Sequence, residues 1–337
     1  MGQPLRESIL EVLERTKYPK AVGPLVILLE KTRDDDLRLK ILEALGNIGD
    51  PKAINPLVIL LEKTRDDDLR LKITEALSNI GDEAIDPLVG LLGRAYSHNL
   101  IKSILSALEN IGGQAVDPLI DLLESTEDDD LKWIISYALG NIGDPRAVDP
   151  LIAALEKTHS YSLKPTLSHI IGKIGDPRAI DPLIAVLEKT NDVDLKLKIS
   201  EALSNIGDEA VDPLVDLLRR TDNNLLRKDV SKILANIGDP RAVDPLIAAL
   251  EKTNDDDLKL KITEALSNIG DEAVDPLVDL LGRTDDNYLK RRLSEILARI
   301  GDPKAVNSLI DALERTEDDF TRMKIEEAID RIKEKTQ

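Results

Sequence analysis

A glycine returns along this chain at a near-constant interval. It stands at positions 49, 81, 112, 143, 175, 207, 238, 270 and 301, with spacings of 32, 31, 31, 32, 32, 31, 32 and 31 residues. A fixed period of this length is the signature of stacked repeats, in which no unit can bury its apolar face without its neighbours. The variation in spacing has one source. After Gly49, Gly143, Gly175, Gly238 and Gly301 the chain reads D-P-[KR]-A; after Gly81, Gly207 and Gly270 it reads D-E-A, and after Gly112 G-Q-A, one residue shorter. The helices therefore keep a constant length, and only the turn between repeats changes.

Each unit carries two helical patterns. Ala242, Val243, Leu246, Ile247 and Leu250 recur at i, i+1, i+4, i+5 and i+8, one face of an outer helix. Thr253-Asn254-Asp255-Asp256-Asp257 then supplies turn and N-cap chemistry. Leu258, Ile262, Ala265, Leu266 and Ile269 mark the buried face of an inner helix, which Gly270 ends as a residue free to take positive φ. The Asp-Pro within each outer helix, as at Asp244-Pro245, has two readings: a kink at every repeat, or the true helix start with Asp as N-cap. Leu5–Arg15 matches an inner helix with no outer helix before it, and Glu7, Glu11 and Glu14 suit a solvated cap. Glu326, Glu327, Asp330, Arg331 and Lys333 make the last helix equally polar. With no linker anywhere, one domain is expected over 1–337: a capping helix at 1–17, repeats at 18–318, and a final inner helix and cap at 319–337.

Composition narrows the function classes. Aromatic residues are only 2% of the chain, so Leu, Ile, Val and Ala must carry the packing, as thin helical layers allow. The formal net charge of −19 opposes binding to nucleic acid, whose affinity comes from Lys and Arg on phosphates, and to anionic membranes; it favours a basic protein or peptide partner. With no Cys, disulfides and thiolate metal sites are excluded. Met1–Arg6 lacks a signal-peptide pattern, and no apolar run approaches the ~18 residues of a membrane span. A cytoplasmic protein is the expectation.

The motif pair A-V-D-P-L-I-x-x-L at Ala242–Leu250 and L-[KR]-x-K-I-x-E-A-L-x-N-I-G-D at Leu258–Asp271 resembles HEAT repeats, of the short HEAT-like class first noted in phycobilisome lyases. About ten copies span nearly the whole chain. The resemblance implies an all-α fold, a right-handed α-solenoid of two-helix repeats, with the Asp-Pro helix on the convex side and the L-K-x-K helix on the concave side. It also implies that Arg38, Arg70, Lys132, Lys164, Lys196, Arg227, Lys259 and Lys290 pair structurally with acidic loop residues; Ile101 breaks that row. The family includes scaffolds, transport receptors, lyases and a few enzymes, so fold alone does not assign function.

Aligned inner helices offer two solvent-facing rows that are mostly Leu and Glu. They break pattern at Trp133 and Tyr137, one turn apart, and at Pro165 and His169 in the next repeat. Two loops deviate nearby, Ala95-Tyr96-Ser97-His98-Asn99 and Thr158-His159-Ser160-Tyr161-Ser162. Aromatic anchors on a binding face are what interaction hot spots are made of. Trp133, Tyr137, His169, Tyr96, His98 and Tyr161 are therefore the candidate partner-binding residues; the competing reading is that these repeats have drifted. The Asp triplets at 34–36, 66–68, 128–130 and 255–257 read as N-caps rather than calcium ligands, because the loops lack the glycine turn and distal Glu of a calcium site. Asn47, Asn79, Asn110, Asn141, Asn205, Asn236 and Asn268 form a ladder, with helix-end capping as the expected role and contact to an extended peptide as the alternative.

No enzyme signature appears: no His-Glu dipeptide, no phosphate loop, no nucleophile elbow. No metal and no cofactor are expected. The expected function is a non-catalytic protein-interaction scaffold that holds a partner protein or peptide on the inner-helix surface. Two alternatives stand beside it: a lyase-like or chaperone-like subunit cradling a small molecule near Trp133 and His169, and a designed or consensus repeat protein. Residues 175–224 and 238–287 differ at only six of fifty positions, as recent tandem duplication or consensus design would both produce.

Overall fold

The computed structural model describes residues 17–95 and 97–335. Among them lie twenty α-helices and no strand, an all-α solenoid of repeated helix pairs. The chain divides into two compact units, Met1–Leu163 and Lys164–Gln337. The expected capping helix lies outside the described residues except for Lys17, which has φ of 44°.

The first unit holds α1 (Val22–Lys31), α2 (Asp35–Ile48), α3 (Ile54–Lys63), α4 (Asp67–Ile80), α5 (Ile85–Leu92), α6 (His98–Ile111), α7 (Val116–Ser125), α8 (Asp129–Ile142) and α9 (Val148–Lys157). Helix α10 (Leu163–Ile174) begins on the last residue of this unit. The second unit continues with α11 (Ile180–Lys189), α12 (Val193–Ile206), α13 (Val211–Arg220), α14 (Asn224–Ile237), α15 (Val243–Lys252), α16 (Asp256–Ile269), α17 (Val274–Arg283), α18 (Asn287–Ile300), α19 (Ala305–Glu314) and α20 (Asp319–Lys335). Odd-numbered helices carry the outer pattern and are called A; even-numbered ones carry the inner pattern and are called B.

The A helices have ten residues and the B helices fourteen, with three exceptions. Helix α5 stops after eight, where Gly90 and Gly93 weaken its last turn. Helix α10 has twelve because it starts late, so that Pro165 falls in its first turn, where an N–H has no intrahelical acceptor. Helix α20 runs to seventeen. Each fourteen-residue B helix except α6, whose N-cap Ser97 makes no such bond, opens on a capping side chain: Asp34 Oδ1 accepts from the Leu37 N–H at 3.1 Å, and Asp255 Oδ1 from Leu258 at 2.9 Å. The first Asp of each triplet is thus an N-cap, and the Thr two residues earlier accepts its N–H, as Thr32 Oγ1 does for Asp34 at 3.2 Å.

The two turn lengths are two backbone conformations of one glycine. In the long turns Gly49, Gly143, Gly238 and Gly301 have φ of 70–86° and ψ of 17–23°, the left-handed helical region. The next Asp then caps a one-turn 3₁₀ segment; Asp50 Oδ1 accepts from the Lys52 N–H at 2.9 Å. In the short turns Gly81, Gly112, Gly207 and Gly270 keep a similar φ of 84–95° but turn ψ to between −134° and −143°. The glycine now ends the B helix and begins the 3₁₀ turn by itself. Its N–H reaches back, Gly81 to the Leu77 carbonyl at 3.2 Å, and its carbonyl accepts from Ala84 at 3.0 Å. The deleted residue is the capping Asp, whose place the glycine takes.

Neither reading of the Asp-Pro dipeptide holds. The α-helix starts one residue before it, at Ile85, Val116 or Val148, directly after the 3₁₀ turn. The proline is the third helical residue, where the missing N–H costs little, and the N-cap place belongs to an alanine, as at Ala115 and Ala210. Asp117 and Asp212 instead receive an arginine from the next repeat. Arg146 donates to Asp117 Oδ2 at 2.9 Å, to the Gly113 carbonyl at 2.6 Å and to both oxygens of its own turn's Asp144. Arg241 repeats this with Asp212, the Asp208 carbonyl and Asp239.

Within each unit successive B helices pack tightly, most tightly across a long turn, as between α2 and α4, α14 and α16, and α18 and α20. Small residues permit it. The position three before the turn glycine is Gly46, Gly140, Gly172, Ala235 or Ala298 in long-turn repeats, and Ser78, Glu109, Ser204 or Ser267 in short-turn repeats. A Cβ on Gly46 would stand 2.9 Å from the Ala76 Cα. The core between A and B layers is aliphatic, with Ile41, Leu42, Leu45, Leu57, Leu61, Ile73 and Leu77 fully buried.

Candidate functional site

The B helices point their buried stripe at the A layer, and the two rows between adjacent stripes stay partly open. Leu71 and Leu197 are exposed on the first row, and Glu43 and Glu295 on the second. On α8 these places belong to Trp133 and Tyr137. Four residues apart, they share a helix face. Both side chains remain about half exposed, at 44% and 47%. Their rings stack on each other, 5.8 Å between centroids and 14° from parallel. The pair forms a flat aromatic plate with one side open to solvent.

The other candidate residues are placed separately. Tyr161 is 85% exposed in the turn before α10, and His98 is exposed as the first residue of α6. Tyr96 lies outside the described residues. His169 stands on α10 in the second unit, exposed, with its Nδ1 4.0 Å from Glu201 Oε2 of α12. Glu201 also accepts from Lys198 Nζ at 2.8 Å. The described contacts therefore join Trp133 to Tyr137 and His169 to Glu201, one pair in each unit.

The inner-helix basic row is more buried than exposed surface pairs would be. Arg70 and Lys259 are 8% exposed. Arg70 donates to Asp67 at 2.9 Å and to the Thr64 carbonyl at 2.6 Å, closing the loop that precedes its helix. Lys196 reaches Asp229 at 2.8 Å, and Lys259 reaches Asp286 at 2.5 Å, each on the following repeat. The Asn ladder does not cap helix ends. Asn47, Asn79, Asn110, Asn205, Asn236 and Asn268 are exposed and, among the described residues, have no side-chain hydrogen bond. The turn glycine closes the helix with its own N–H instead. Asn141 donates to Glu109 of the preceding B helix at 2.7 Å.

A second feature escaped the sequence reading. Between α18 and α20 a cavity of about 260 Å³ is lined by Arg291, Arg292, Glu295, Phe320, Lys324 and Arg331, with Ala298 and Ala328 at its sides. The guanidinium of Arg291 stands 5.3 Å from the Phe320 ring centroid, and Lys324 Nζ 6.0 Å from it. The chain's single Phe and the change of the row from Leu260 to Arg291 were the available signals. Among the described residues no helix is long and apolar enough to cross a membrane, and no three His, Cys, Asp or Glu side chains are grouped to hold a metal ion.

The profile of HEAT repeats matches residues 3–78, 54–139, 116–204, 180–267 and 243–330. The chain belongs to the HEAT-repeat family. Two of the solved structures to which this HEAT-repeat chain is similar illustrate the match. One is an engineered protein, matched over 93% of this chain and 98% of its own at 22% identity and a TM-score of 0.37. The other is the complex of CpcE and CpcF of phycocyanin lyase from Nostoc sp. PCC7120, matched over 64% of this chain and 94% of that one at 22% identity and a TM-score of 0.34. No curated protein sequence matches significantly.

Proposed function

We propose that this HEAT-repeat protein is a non-catalytic interaction scaffold that binds a partner protein or peptide on its B-helix face, with Trp133 and Tyr137 as anchors. The observation that carries this reading is the stacked, half-exposed pair itself. Two large rings left open to water are unfavourable as packing and valuable as a docking plate, because they bury much area at little cost in side-chain entropy. No other B helix carries two aromatic residues at these row positions, so the plate also gives the partner a defined register. The net charge of −19 supports a partner of opposite overall sign through steering and complementarity.

Trp133 is the only tryptophan, so its fluorescence reports on this place alone. The test is to select peptides from a displayed library against the whole protein. Enriched peptides should shift the Trp133 emission, and Trp133→Ala and Tyr137→Ala should each weaken them at least tenfold with the melting temperature unchanged. Enriched peptides that bind the Trp133→Ala protein with wild-type affinity would place the interaction elsewhere and sink the reading.

A further inference from the structure

The cleft between α18 and α20 reverses the charge of the molecule. In three other repeats the B-helix rim is self-neutralising: Lys72 meets Glu75, Lys198 meets Glu201 and Lys261 meets Glu264, all within 3.0 Å. The same pairs persist here as Arg292 with Glu295 and Lys324 with Glu327, both within 2.8 Å. Three further cations are added, at places that in the other described repeats hold a cation only at Lys102, Lys173 and Lys228. Arg291 stands where α16 has Leu260, and Arg299 and Arg331 stand where the ladder has Asn268 and its equivalents. A second cavity of about 390 Å³ adjoins the first, sharing Glu295, Ala298 and Arg331 with it and adding Arg299, Lys335 and Glu334.

We propose that this cleft docks an acidic peptide segment of a partner protein. Carboxylates of the segment meet Arg299, Arg331 and Arg291, the last of which also stands 3.7 Å from Asp318, and an apolar side chain lies on Phe320, which is 55% exposed. Charge complementarity selects the sign, since these cations sit in a chain of net charge −19. The mixture of groups selects a peptide over a small multivalent anion. Glu295 and Glu327 stand among the cations and repel a compact phosphate, whereas a peptide offers backbone N–H donors to them and carboxylates to the arginines. The closely packed helices explain the depth. Ala298 and Ala328 carry no long side chain, so the space between the rims stays open. The site is independent of Trp133, which lies in the other unit.

The probe is a fluorescein-labelled ten-residue peptide with Glu at alternate positions and one central Leu, against the same peptide with Lys for Glu. Anisotropy is titrated with the full-length protein at 0.1 M salt, where charges beyond about 10 Å are screened. The acidic peptide should bind at least tenfold more tightly than its Lys counterpart and weaken about tenfold at 0.5 M salt. Arg331→Glu and Arg299→Glu, both on exposed positions, should each reduce binding at least fivefold, and Phe320→Ala about threefold, while Trp133→Ala leaves it unchanged. Equal binding of the two peptides, or wild-type affinity in the Arg299→Glu, Arg331→Glu double variant, overturns the proposal. So does displacement by equimolar inorganic phosphate, which marks a small-anion site. Self-association of the wild type that the double variant abolishes, without peptide binding, also overturns it and assigns the cleft to a second copy.

Discussion

Gly172 lies so close to Ala202 that a Cβ placed on it would stand 2.3 Å from the Ala202 Cα and 2.4 Å from its Cβ. No side-chain rotation relieves a contact with a backbone atom, so α10 and α12 would have to separate. Gly172→Ala should therefore destabilise by about 1–3 kcal/mol, the range for overpacking a filled interface. The same substitution at Gly90 or Gly282, where a Cβ meets nothing within 4 Å, should stabilise by about 0.5–1 kcal/mol through helix propensity alone. Urea melts of the three variants give the opposite signs directly.

The two turn classes differ in what they tolerate. Asparagine enters the left-handed region readily, but the conformation at positive φ and ψ near −138° belongs almost wholly to glycine. Gly238→Asn should cost under about 1 kcal/mol, because Gly238 has φ of 75° and ψ of 17°. Gly207→Asn should cost about 1–3 kcal/mol, because Gly207 has φ of 86° and ψ of −138°. A ranking reversed in urea melts would mean that the short turn can rearrange to the long form.

Stability should fall on the acid side for a reason local to the arginine turns. Hydrogen bonds from Arg146, Arg178 and Arg241 hold Asp144, Asp176 and Asp239 below the usual carboxylate range. A depressed folded value means that the stabilisation is complete above the unfolded value of about 3.9 and is lost as pH falls through the folded one. Thermal melts should be flat from pH 7 to about 5 and drop below about pH 4. Asp239→Asn keeps an N-cap acceptor but not the charge. It should melt lower than wild type at pH 7 and converge with it at the acid end.

Pro165 delays the start of α10. Pro165→Leu restores the residue type that other repeats carry, as at Leu71 and Leu197, and should extend the helix back over Tyr161 and Ser162. The Lys164 N–H would then have a carbonyl one turn earlier to donate to, and its exchange with solvent should slow at least tenfold relative to wild type. Unchanged exchange at Lys164 would show that the loop sequence, rather than the proline, sets the helix start.

The period, the helix pairs, the Asp caps and the turn glycines were legible in the residues because each rests on chemistry within a few positions of chain. A capping carboxylate needs only the N–H three residues on, and a 3.6-residue apolar stripe marks its own buried face. The aromatic break at Trp133 and Tyr137 was legible for the same reason, since i and i+4 on one helix must be neighbours. The tertiary structure decided everything that depends on a second repeat. It put Asp117 and Asp212 under an arginine of the following turn rather than at a helix cap. It matched long turns to the Gly or Ala that lets one B helix approach the next. It gathered Arg291, Phe320, Lys324 and Arg331 around one cavity. Sequence determines which residues recur at the same place in every repeat; the approach of one backbone to the next, set by a single small side chain, determines which of them meet.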